Sequence, residues 1–171
     1  MVVANKDKIR ILSIDGGGLR GLIAARTLQW IETLSGHKIH ELFDIIVGTS
    51  TGGLIAAGLA ATGEKGKRLM NTQDLIDLYT EDAKTIFPKK WHSFVTNIIQ
   101  PAYYEKGLKE KLCYWLGETK LNKCDPDIQV AAYDILNDET VFFKSRYAKQ
   151  LKESKKVNKV CLLYTSDAAD E

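Results

Sequence analysis

The chain has 171 residues, 44% hydrophobic and 27% charged, which is the size and composition of one ordinary globular domain and excludes collagenous, disordered and disulfide-scaffold chains. Lys and Arg number 24 against 22 Asp and Glu, a formal charge of +2, so no global field points to a nucleic-acid partner. Cys113, Cys124 and Cys161 form no C-x-x-C pair, which argues against a zinc knuckle or redox dithiol and fits a reducing, cytoplasmic setting.

The opening MVVANKDKIR lacks the apolar core of a secretory signal. Residues 9–15, rich in Ile and Leu, predict a buried strand, which glycines 16–18 break. From Leu19 to Leu34 the recurrence of Leu28, Ile31 and Leu34 predicts a helix, with Gly36 as its stop. Phe43 to Val47 reads as a second short strand ended by Gly48. Leu54 to Ala61 is apolar all round, so its helix should be buried. The window 42–62 is apolar enough to suggest a membrane span. Its Asp44, Thr49, Ser50 and Thr51 would then sit in hydrocarbon, so no transmembrane segment is expected.

Asn71 or Thr72 can cap the next helix with Asp74 in its first turn. Leu75, Leu78, Tyr79, Ala83 and Ile86 supply its apolar stripe, and Pro88 follows it. A further amphipathic helix is expected over 106–116, through Leu108, Leu112 and Trp115, with Gly117 as its stop. Ile128 to Ile135 and Thr140 to Phe143 read as strands around the turn Asn137-Asp138-Glu139. Strands and helices that alternate through Gly-rich turns predict an α/β fold on a parallel sheet.

Two motifs carry chemistry. Gly48-Thr49-Ser50-Thr51-Gly52 matches G-x-S-x-G, with a strand before it and a helix after it, as a nucleophile elbow requires. Gly- and Ser-rich turns also match this pattern by chance, so the flanking elements matter. The run Asp15-Gly16-Gly17-Gly18-Leu19-Arg20-Gly21 admits two readings. As G-x-G-x-x-G it could bind a dinucleotide in an oxidoreductase module, which needs an acid at the end of the next strand. That strand ends in Gly48-Thr49-Ser50, and Asp44 stands at its start. As a glycine loop leading into a helix, it could instead hold the oxyanion of a tetrahedral intermediate.

Together these residues resemble the patatin-like phospholipases. The likeness runs from Asp15–Gly21 and Gly48–Gly52, with the Phe43-Asp44 lead-in, through the helix at 72–87, the segment Pro101 to Tyr104 and the strand Ala132-Tyr133-Asp134. It implies a three-layer α/β-hydrolase-like sandwich and a lipid acyl hydrolase working by a Ser–Asp dyad, without metal or cofactor. Ser50 would be the nucleophile. Gly16, Gly17 and Gly18 would form the oxyanion loop with Arg20 supporting it, so bulk at Gly17 should lower kcat. The substrate would be a lipid acyl ester at a membrane or micelle surface.

A Ser-His-Asp triad fits less well, because His37 and His40 precede the serine and His92 falls in a segment that reads as surface helix. The family's base is an aspartate in an Asp-Gly-Gly or Asp-Gly-Ala motif. The single Asp-Gly pair here, Asp15-Gly16, belongs to the glycine loop, while Asp127 and Asp134 do not match. The base is therefore expected beyond residue 160. Residues 9–160 would be the N-terminal portion of the domain, an incomplete sandwich that is inactive by itself. The ending CLLYTSDAADE, 161–171, resembles translated sequencing-adaptor read-through. A catalytically silent interaction protein on the same fold is the remaining alternative. Trp91, Phe94, Val95, Ile98 and Ile99 share one helical side that could meet an acyl chain, although core packing explains them more simply. The basic stretch 144–159 could attract anionic headgroups, although a solvated face is the simpler account.

Overall fold

The computed structural model describes residues 8–81, 110–117, 119–134 and 136–150. Strand β1 (Ile11–Ile14) leads through a short 3-10 turn, Gly18–Arg20, into helix α1 (Gly21–Ser35). The Gly36 stop is borne out: at φ 68° its N–H donates to the Glu32 carbonyl over 3.0 Å. A one-turn helix α2 (Ile39–Leu42) precedes β2 (Ile45–Thr49), and β2 runs directly into α3 (Thr51–Ala60). Helix α4 (Thr72–Thr80), a helical stretch at 110–116, strands β3 (Asp127–Asp134) and β4 (Glu139–Lys144) and a short helix, Ser145–Gln150, follow.

The sheet order is β1-β2-β3-β4. The first three strands are parallel, with Ile14 opposite Gly48 and Thr49 opposite Ala131, while β4 returns antiparallel to β3. This is the mostly parallel α/β architecture expected from the sequence. Helix α3 lies on the sheet, and α1 and α4 pack over it. Its all-round apolar character is explained by that place: Ile55, Ala56, Leu59 and Ala60 are all buried.

Several boundaries differ from the sequence reading. Strand β2 covers 45–49, not 43–47, so Gly48 lies inside it. A glycine in a strand marks a close backbone approach, and here the start of α3 passes over that position. Helix α3 accordingly begins at Thr51, three residues before the apolar run. On α1 the buried face is Gly21, Ala25 and Leu28. Leu34, expected on that stripe, is 67% exposed, because at 3.6 residues per turn a position nine residues past Ala25 falls on the opposite side of the helix.

Local hydrogen bonds fix the connections. The Asn71 side chain accepts from the N–H groups of Gln73 (2.8 Å) and Asp74 (3.1 Å), and the Asp74 carboxylate accepts from Asn71 N–H at 2.7 Å. Such a capping box is worth about 1 kcal/mol. Glu32 on α1 accepts from Ile39 N–H (3.1 Å), Lys38 Nζ (2.9 Å) and Thr72 Oγ1 (2.9 Å), which ties three helices together. The positions Leu108, Ala83, Ile86, Pro88, His92, the 91–99 apolar face, Pro101 to Tyr104 and everything after Gln150 lie outside the described residues.

Candidate active site

With β1 and β2 parallel and in register, the loop that leaves β1 and the turn that leaves β2 emerge side by side at one sheet edge. Ser50 occupies the single position between β2 and α3, at φ 51° and ψ −123°. For a residue other than glycine this conformation costs about 1–3 kcal/mol and persists only where the surroundings enforce it. The enforcement comes from two glycines. A Cβ at Gly48 would lie 2.3 Å from the Gly52 carbonyl carbon and oxygen, and one at Gly52 would lie 2.0 Å from the Ile14 carbonyl oxygen. Strand and helix are thus pressed together with no room for side chains, and Ser50 absorbs the reversal. Ser50 is exposed. It stands at the N-cap of α3 without a side-chain capping bond, so the helix does not consume its hydroxyl.

The glycine loop lies against this turn. A Cβ at Gly16 would meet Ser50 Cβ at 2.9 Å and the Thr49 carbonyl oxygen at 3.0 Å. Gly16 N–H donates to Thr49 Oγ1 at 3.0 Å, and Gly17 N–H donates to Thr51 Oγ1 at 3.1 Å. Gly18 (φ 58°) opens the 3-10 turn, which Arg20 N–H closes onto the Gly17 carbonyl at 3.1 Å. Arg20 is exposed beside the loop. Gly17 itself has more room than the sequence suggests, since an added Cβ would approach nothing closer than Arg20 Cβ at 3.4 Å. The crowded position is Gly16. Gly16, Gly17, Gly18, Arg20, Gly48, Thr49, Ser50, Thr51 and Gly52 therefore form one constellation.

Sequence reasoning missed Tyr79 here. Its ring packs on Gly21, where an added Cβ would lie 2.5 Å from Cζ, and its hydroxyl donates to the Thr51 carbonyl at 3.3 Å. Burial pushes this phenol up to about 12. Nothing in the spacing of Tyr79 separated it from an ordinary stripe residue.

The acidic side chains away from the loop have other partners. Asp44 stands where β2 begins, at the far edge of the sheet. It accepts from Arg10 N–H at 2.7 Å and from Arg10 Nε at 3.4 Å, and these hydrogen bonds hold its carboxyl low. No acid therefore stands at the end of β2, where a dinucleotide ribose would need one. Asp127 is at that far edge too. Burial would raise its carboxyl, but Lys149 at 2.7 Å, Ser145 at 3.1 Å and Arg146 at 3.2 Å outweigh burial and hold it low. Asp134 ends β3 on the Ser50 side of the sheet. Its carboxylate accepts from Asn137 Nδ2 at 2.8 Å and from the N–H groups of Leu136 (2.9 Å) and Asn137 (3.2 Å). Those bonds, the Asn137 side chain first, hold it low. His37 and His40 lie on the segment entering β2, remote from Ser50. Burial and then Arg68 lower the His40 imidazole. Among the described residues no group of three or more His, Cys, Asp or Glu is placed to hold a metal ion, and no helix is long and apolar enough to cross a membrane.

Fold and site define an α/β protein of the three-layer class, with a strained strand-to-helix serine set beside a glycine loop. The family model for patatin-like phospholipases matches residues 12–163, and the chain belongs to that family. It is 35% identical over 153 residues to patatin-like protein 2 of Arabidopsis thaliana, covering 82% of this chain and 38% of that protein. Patatin-like protein 1 of Oryza sativa subsp. indica is 33% identical over 153 residues, 84% of this chain and 37% of its own length. Patatin group M-3 of Solanum tuberosum is 31% identical over 172 residues, 96% of this chain and 43% of its own length. The chain spans about two fifths of the length of these relatives.

Proposed function

We propose that residues 9–160 are the nucleophile and oxyanion portion of a serine acyl hydrolase that cleaves lipid acyl esters at a membrane or micelle surface, on the cytoplasmic side, without metal or nucleotide. Ser50 Oγ attacks the ester carbonyl as an aspartate takes its proton. The Gly16–Gly18 loop, braced by Arg20, receives the developing oxyanion. Collapse of the tetrahedral intermediate expels the alcohol, which carries the proton away. Water, deprotonated by the same aspartate, then attacks the acyl-enzyme, and the aspartate returns that proton to Ser50 Oγ as the fatty acid leaves.

The observation that carries this reading is the exposed Ser50, held at positive φ with Gly16 packed against it. The base is assigned to an Asp-Gly-Gly or Asp-Gly-Ala motif outside this chain. Three observations support that assignment: the partial coverage of the relatives, the single Asp-Gly pair at Asp15, and the commitment of Asp44, Asp127 and Asp134 to other partners. With the base assigned elsewhere, residues 1–171 alone should show no turnover above a Ser50→Ala control. In the full-length protein, Ser50→Ala should abolish hydrolysis of a short-chain p-nitrophenyl ester and of phosphatidylcholine vesicles while the melting temperature holds. Turnover that survives the substitution would refute the reading.

A further inference from the structure

The hydroxyls of Thr49 and Thr51 have no task in the reaction just described, yet both turn onto the glycine loop. Thr49 Oγ1 accepts the Gly16 N–H at 3.0 Å and Thr51 Oγ1 accepts the Gly17 N–H at 3.1 Å. Thr51 is only 2% exposed, and a hydroxyl buried so deeply requires a partner. Its own carbonyl receives the Tyr79 hydroxyl, so the residue is held from two sides. Threonine is stiff at χ1, which makes each oxygen a fixed acceptor. The loop it holds has the opposite character, since consecutive glycines carry no side chains to lock them and have the widest backbone freedom.

We propose that Thr49 and Thr51 are positioning residues. They clamp the first two amides of the loop and so set its height over Ser50. The Gly18 N–H, which opens a helical turn and has no intrahelical acceptor, is left as the donor that the loop offers to the oxyanion. The clamp couples nucleophile and oxyanion site through residues adjacent to the serine, so that one short segment places both. This proposal rests on the acyl-hydrolase reading of Ser50 for its kinetic consequences, though not for the clamp itself.

The test uses the full-length protein with Thr51→Val, Thr51→Ser, Thr49→Val and a Ser50→Ala control. Thr51→Val keeps the shape and deletes the acceptor. It should lower kcat by about 10²-fold, the scale of a 1 Å misplacement, with KM nearly unchanged, and Thr51→Ser should recover most of the loss. Thr49→Val should act in the same direction. Hydrogen exchange by NMR should show the Gly17 amide exchanging faster in Thr51→Val and the Gly16 amide exchanging faster in Thr49→Val. Wild-type kcat and wild-type exchange in both valine variants would overturn the clamp. Should Thr51→Val fail to fold, Thr49→Val decides, because Thr49 is exposed. If esterase turnover survives Ser50→Ala, the acyl-hydrolase reading fails, and the amide exchange alone still supports or overturns the clamp.

Discussion

Replacing Gly16 with alanine places one methyl group between the two halves of the site. That carbon would sit 2.9 Å from Ser50 Cβ, 3.0 Å from the Thr49 carbonyl oxygen and 3.4 Å from Thr49 Oγ1. Carbon atoms rest at about 3.5–4.0 Å, so loop and turn must part by roughly 0.6–1 Å. Neither neighbour yields easily, because one is backbone and the other is fixed directly to it. A displacement of that size at an oxyanion site lowers kcat by about 10²-fold, or about 2.7 kcal/mol in the barrier. Gly17→Ala is the comparison, since its methyl would approach nothing closer than Arg20 Cβ at 3.4 Å, the edge of ordinary contact. Both variants would be assayed in the full-length protein for ester hydrolysis, with thermal unfolding to verify folding. Equal kcat in the two variants would refute the argument that Gly16 sets the spacing between loop and nucleophile.

Asp134→Asn should leave Ser50-dependent turnover at the wild-type level, because its carboxylate holds the β3–β4 turn and is not free to take a proton. Lost turnover with an unchanged melting temperature would make Asp134 the base. Alkaline stability follows from two buried acids, since burial pushes both the Tyr79 phenol and the Cys124 thiol up to about 12. The unfolded chain ionises them near their ordinary values of about 10 and 8.5. Their contribution is therefore full below about pH 8.5 and is lost as pH rises toward 12. The urea midpoint should fall over that window, and less steeply in a Tyr79→Phe, Cys124→Ala double variant; identical slopes would contradict the assignment.

Much of the site was legible because its motifs are written in residue types that have few other uses in sequence. A serine flanked by glycines between a strand and a helix, preceded by a glycine run after another strand, already implies two turns at one edge of a parallel sheet. The boundaries were less legible. Apolar patterning stops at Gly48, whereas the hydrogen-bonded ladder runs on to Thr49, since pairing is a backbone property that glycine does not interrupt. The threonine contacts were hidden for a related reason. Thr49 and Thr51 filled the variable positions of G-x-S-x-G, and only the register of β1 against β2 brings their hydroxyls to the amides of Gly16 and Gly17. Tyr79 was equally hidden, because its position on α4 marks it only as apolar stripe until Gly21 of α1 is seen beneath its ring.

The role of Ser50 as nucleophile is tested most directly by treating the full-length protein with a fluorophosphonate and mapping the adduct by peptide mass spectrometry. A single stoichiometric adduct is expected on Ser50, lost in Ser50→Ala and slowed in Thr51→Val. An adduct on another residue, or labelling that persists in Ser50→Ala, would contradict it.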